Sequence, residues 1–228
     1  MDIRLHYVER GKGFPLLLLH GNGEDHTYFE HQMEPFSQHF RVICPDTRGH
    51  GASERGNRPF TLEQFADDLK SFLERMQIKK CHLLGFSDGG NIAMLFALKY
   101  PGYVEKLILN GANLRPEGVK PSVQLPIMAG WALCGLCGLF SRKAKRNWEM
   151  LDLMVTQPYI TPEALERLRI PVLVIAGTND MIREEHTRSI GRALFWGQVK
   201  ILPGDHFLAR KNSQPFNEAV LEFLTKEE

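Results

Sequence analysis

Ser87 lies in the string Gly85-Phe86-Ser87-Asp88-Gly89-Gly90, between an apolar run at 81–84 and a helical pattern marked by Ile92, Met94, Leu95 and Leu98. A hydroxyl on so sharp a strand-to-helix corner is pushed out of the sheet edge, and glycines two residues before and after it leave room where the chain doubles back. The helix that follows turns its unpaired N–H groups toward the same spot, which favours negative charge there. Such a serine suits attack on a carbonyl, provided that an adjacent base takes its proton and a third group orients the base.

The elements around this corner alternate. Ile3, Leu5 and Tyr7 predict a strand, residues 15–19 a buried strand, 40–44 the next, and 104–109, 171–176 and 198–202 three more. Helices are predicted at about 28–37, at 62–76 from the spacing of Leu62, Phe65, Ala66, Leu69, Phe72, Leu73 and Met76, and at 184–194 and 213–224. Strands alternating with helices mean a mostly parallel sheet covered on both faces, with its sites at the carboxyl ends of the strands. The polar Gly-rich loops at 20–25 and 45–51 each follow a strand and converge on that edge. From 111 to 169 the pattern breaks into apolar helical pieces punctuated by prolines, an insertion. Within it, 123–140 is no membrane span, because Gln124, Pro126 and three glycines interrupt it.

Composition narrows the class. With 228 residues, 43% of them apolar and 24% charged, the chain can bury a sizeable core. A net charge of +1 with scattered basic residues leaves no footprint for nucleic acid. The run Arg142-Lys143-Ala144-Lys145-Arg146 is the local exception and reads as a solvated helix face. Four cysteines make no disulfide scaffold at this length; Cys44 and Cys81 sit in apolar runs as small hydrophobes. Cys134-Gly-Leu-Cys137 lacks a second pair or a nearby histidine to complete a zinc site, so neither metal nor cofactor is expected. No basic stretch, apolar segment and cleavage site occur in the first 20 residues. The chain therefore reads as reduced, intracellular and cytoplasmic.

Four segments resemble the α/β-hydrolase family over nearly the whole length: LLLLHGNG at 16–23, PDTRGHG at 45–51, GFSDGGNIA at 85–93, and IAGTND at 175–180 paired with GDHF at 204–207. The likeness is greatest to small capped hydrolases of esters and related carbonyl compounds. It implies an α/β-hydrolase core at 1–110 and 170–228 and a small helical cap at 111–169. The N-terminus starts too late for the first antiparallel strand that many members carry.

The resemblance also implies roles. The family's chain order of nucleophile, acid and histidine falls on Ser87, Asp180 and His206. His206 is preferred among nine histidines because it follows the last strand in a short loop, whereas His186 lies early in a helix and His20 and His50 serve structural hydrogen bonds. Asp205 adjoins His206 too closely to fold back onto its ring, which favours Asp180 as the acid. The oxyanion hole falls on the backbone N–H groups of Asn22 and Asp88, with the Asp88 carboxylate expected to cap the helix N-terminus. Relatives that open epoxides or split carbon–halogen bonds use an aspartate nucleophile, and Ser87 argues against that chemistry.

The activity so implied is a cofactor-free serine hydrolase of a carboxylic ester, thioester or lactone. The alternatives are hydrolysis of a carbon–carbon bond next to a ketone and a non-catalytic ligand receptor or scaffold. Substrate choice falls to the cap, where Met128, Trp131 and Phe140 are expected to line a pocket for an apolar acyl or ketone portion of a small molecule. A dimer or membrane-touching surface is the other reading of these apolar residues.

Overall fold

The structure, a computed structural model, describes residues 2–226. Seven strands, β1 (Tyr7–Arg10), β2 (Pro15–Leu19), β3 (Arg41–Pro45), β4 (Cys81–Phe86), β5 (Val104–Asn110), β6 (Val172–Asn179) and β7 (Gly197–Asp205), form one sheet in the order β1-β3-β2-β4-β5-β6-β7. The edge strand β1 runs antiparallel to β3, with Tyr7 opposite Pro45. The pairings from β3 through β7 are parallel. The first strand starts where the sequence pattern predicts it to end. Ile3 and Leu5 are buried against the core without joining the ladder, so burial alone produces the alternation that reads as a strand there.

Period-2 alternation divides the strand side chains between two cores. Leu17, Leu19, Leu83, Leu107, Leu109, Val172 and Val174 face one side, where α2 (Leu62–Arg75), α3 (Asp88–Lys99) and α7 (Glu184–Ala193) cover them. Leu16, Leu18, Val42, Leu84, Ile108, Leu173 and Ile175 face the other, beneath α1 (Glu30–Ser37), α8 (Leu208–Lys211) and α9 (Ser213–Thr225). The central strands are therefore apolar on both faces, which is why they read as continuous hydrophobic runs. Thr61 starts α2 by accepting a hydrogen bond from Gln64 N at 3.1 Å.

The stretch from 111 to 169 holds α4 (Pro121–Gly138), α5 (Arg142–Thr156) and the short α6 (Pro162–Leu165). Its two ends belong to the core: Ala112, Leu114 and Val119 on one side, Ile160, Leu165 and Leu168 on the other, are all buried. The α4–α5 hairpin between them is largely exposed, with Gln124 and Leu153 its buried residues. Among the described residues no helix is long and apolar enough to cross a membrane.

Candidate active site

Ser87 joins β4 to α3 with φ +52° and ψ −122°, a conformation costly for a side chain-bearing residue and held because the surroundings overdetermine it. Its N–H donates to Asn110 O at 2.8 Å. The neighbouring glycines admit the corner: a Cβ on Gly85 would stand 2.2 Å from Gly89 O, and one on Gly89 2.2 Å from Leu19 O.

The loop after β7 brings His206 to this serine. Its Nε2 lies 3.0 Å from Ser87 Oγ and its Nδ1 2.7 Å from Asp180 Oδ1. Both His206 and Asp180 are buried. Asp180 Oδ1 also accepts from Ile182 N at 2.9 Å, which fixes the carboxylate beyond the end of β6. Phe86 packs against the imidazole with ring centroids 4.8 Å apart. Gly111 supplies the remaining room at φ +61°, a feature that the sequence pattern did not single out.

The rival residues are engaged elsewhere. His186 Nε2 accepts from Leu114 N at 2.9 Å, and burial lowers its pKa. Asp205 accepts from Phe207 N and pairs with Lys211, whose ammonium lowers the pKa of that carboxyl. His20 donates from Nδ1 to Gly21 O and accepts at Nε2 from Thr47 N, a neutral tautomer. Burial first, and then the neighbouring His50, bring its pKa down to about 4. His50 meets Thr47 Oγ1 and Arg48 O and is likewise lowered by burial.

Asn22 sits in the loop after β2 and Asp88 at the first position of α3, both beside Ser87, and among the described residues neither backbone N–H donates a hydrogen bond within the chain. The Asn22 side chain donates to Met150 O at 2.6 Å and so ties its loop to α5. The expected cap at Asp88 is not formed. Residue 88 is the first inside the helix rather than the one before it, and its Oδ1 accepts from the Asn91 amide at 3.2 Å. Asn91 in turn accepts from Asn113 N at 2.9 Å. The second oxygen of Asp88 is buried without a partner, and burial pushes this carboxyl up to about 6. Glu24, also outside the sequence prediction, accepts from Gly21 N at 3.3 Å; burial raises its carboxyl to about 7, with His206 pulling the other way.

The predicted pocket trio is not brought together. Phe140 is 92% exposed and Met128 45%, while Trp131 turns inward and donates from Nε1 to Asp152 Oδ1 at 2.8 Å. Phe140 lies beyond the end of α4, in the turn that leads to α5, so it does not share a helix face with Trp131. A groove of about 690 Å³ lies along the N-terminal segment, and one of about 610 Å³ lies between α4 and α5 beside Trp131 and Trp148.

One cluster of metal-ligand type occurs among the described residues: His6, His26 and Asp46 place ligand atoms within 4.8 Å of one another. Both imidazole Nδ1 atoms are hydrogen-bonded to Asp46, at 2.9 and 2.8 Å, and the backbone N–H groups of His26 and Ala52 donate to it as well. The carboxylate is thereby satisfied and pins the loop after β3.

Residues 15–132 match the family described as alpha/beta hydrolase fold, and the chain belongs to that family. It is similar to serine hydrolase BPHL of Homo sapiens, at 29% identity over 97% of this chain and 83% of the relative. Among solved structures it is similar to a thermophilic esterase from Thermogutta terrifontis, with a TM-score of 0.81 and 25% identity over 97% of this chain and 93% of that one. A hydrolase from Pseudomonas aeruginosa superposes with a TM-score of 0.80 at 25% identity, over 98% and 95% of the two chains. With its relatives and its fold, the chain is a hydrolase.

Proposed function

We propose that the protein is a serine hydrolase that cleaves a carboxylic ester, thioester or lactone through an acyl-enzyme on Ser87. The observation that carries this reading is the continuous line Ser87 Oγ, His206 Nε2, His206 Nδ1, Asp180 Oδ1, with contacts of 3.0 and 2.7 Å. In this reaction Ser87 Oγ bonds to the acyl carbon while its proton passes to His206 Nε2. The carbonyl π-pair moves onto oxygen, which faces the free N–H groups of Asn22 and Asp88. Collapse of the tetrahedral adduct breaks the bond to the leaving oxygen or sulfur, which takes the proton from His206. Water then repeats the sequence on the acyl-enzyme and frees Ser87. Asp180 holds the imidazole tautomer and stabilises the imidazolium in both halves.

Residues 111–169 serve in this proposal as the cap that selects the substrate, since α5 reaches the Asn22 loop through Met150. A fluorophosphonate probe and a panel of p-nitrophenyl esters of rising acyl length test the reading together. Labelling at Ser87 and ester turnover are the expected results. Turnover of a vinylogous 1,5-diketone with no ester hydrolysis would replace it by carbon–carbon bond hydrolysis, and failure to label Ser87 would point to a non-catalytic binder.

A further inference from the structure

Helix α4 is built the wrong way round for a surface helix. Its inward positions carry Gln124, Trp131, Cys134, Gly135 and Gly138, all at least partly buried. The glycines let α5 come close: a Cβ on Gly135 would stand 3.2 Å from the Trp148 ring, and one on Gly138 3.3 Å from Lys145 Cα. The bulky side chains are left outside, with Leu125 64%, Leu133 62% and Leu136 69% exposed on the helix, and Leu139 78% and Phe140 92% exposed in the turn that follows it. The helix contains no charged residue, whereas a helix facing water carries its charges on the outer side.

Immediately beyond Phe140, Arg142, Lys143, Lys145 and Arg146 are all exposed. Among the described residues none of the four has an acidic partner, and they stand together within five positions, whereas the exposed Lys99 and Arg188 each pair with a nearby carboxylate. Helix α4 has no charged face of its own, but the hairpin as a whole joins apolar side chains, which suit the boundary between headgroups and acyl chains, to a basic cluster, which suits anionic lipid phosphates.

We propose that the outer face of α4 and the basic start of α5 dock onto an anionic phospholipid bilayer. The leucines and Phe140 enter the boundary between headgroups and acyl chains, and the four cations meet lipid phosphates. The helix lies on the bilayer and does not cross it, in keeping with its length and hydropathy. Pairing of this face with a second copy is the poorer fit, because α4 offers no acidic residue to meet the partner's cations.

Cosedimentation of the full chain with vesicles of phosphatidylcholine alone, and of an equal mixture with phosphatidylglycerol, tests the proposal. Binding to the mixed vesicles is expected, weakened by salt and by about fivefold for each of the four cations changed to serine. Leu136→Ser with Phe140→Ser should lower binding to the mixed vesicles while circular dichroism shows an unchanged fold. Equal affinity for the two vesicle types, or none for either, overturns the proposal. So does a dimer in light scattering that Leu136→Ser dissociates and that does not bind lipid.

Discussion

Gly111 lies directly against the His206 ring: a Cβ built on it would stand 2.8 Å from Cε1 and 2.9 Å from Nδ1, the atom that meets Asp180. Its φ of +61° disfavours any other residue besides. Gly111→Ala is expected to fold and to displace the imidazole from Ser87. A shift of this kind costs about a hundredfold in turnover. Ester hydrolysis and thermal unfolding, measured side by side, check it; an intact turnover number would contradict the placement.

Ser87→Ala should give a folded protein with no acyl-enzyme burst and little ester hydrolysis, because His206 and Asp180 act through that one oxygen. His206→Ala should be about as damaging. His186→Ala, by contrast, leaves Leu114 N without its acceptor, a loss of about 1–3 kcal/mol in stability with turnover nearly unchanged. Rate and denaturation curves for the three variants separate these roles, and an exchange of the two histidine phenotypes would reassign the base.

The two candidate acids should part just as clearly. Asp180→Asn keeps the shape but cannot stabilise the imidazolium, and turnover should fall by about four orders of magnitude. Asp205→Asn loses an exposed pair with Lys211, worth little to stability, and should leave the rate close to the parent's. Steady-state kinetics on a single ester decide the order, which a milder effect at Asp180 would reverse.

What the sequence made legible follows from range. The strand runs, the α2 periodicity and the corner at Ser87 are local patterns, and each element forms within a few residues of its predicted position. The line from Ser87 to His206 spans 119 residues and was reached only through the order of motifs shared with the family. Asp88 went the other way: a capping role is a sound local reading of an acidic residue at a helix start, but Asn91 lies one turn on and takes the carboxylate instead. Arg48, buried between Asp2 and Asp68, left no trace because its partners lie 46 and 20 residues away. Of the three expected pocket residues Trp131 lines the groove between α4 and α5, whereas Phe140 stands exposed in the turn beyond α4; a helix without charges has no polar side to say which of its residues turn inward.

Asp88 yields a prediction about stability in which the sign decides the outcome. Its carboxyl is buried beside α3 with one oxygen unpartnered, and burial raises its pKa from 3.8 to about 6, against the opposing pull of Asn91, Asn22 and His206. The folded chain therefore holds this proton more tightly than the unfolded chain. Between pH 4 and pH 6 the folded state binds more protons, so stability falls as pH rises through that window and the loss is complete above it. The full loss is on the order of 3 kcal/mol. Asparagine at this position carries no charge at any pH and can still receive the Asn91 amide hydrogen at its side-chain oxygen. Asp88→Asn should thus melt close to the parent at pH 4 and about 6–12 °C above it at pH 7.5. Thermal unfolding of both proteins at pH 4, 5, 6 and 7.5 measures the gap. A gap that stayed constant across the series would mean that Asp88 is ionised in the folded protein throughout, and that the Asn91–Asn113 network stabilises its charge.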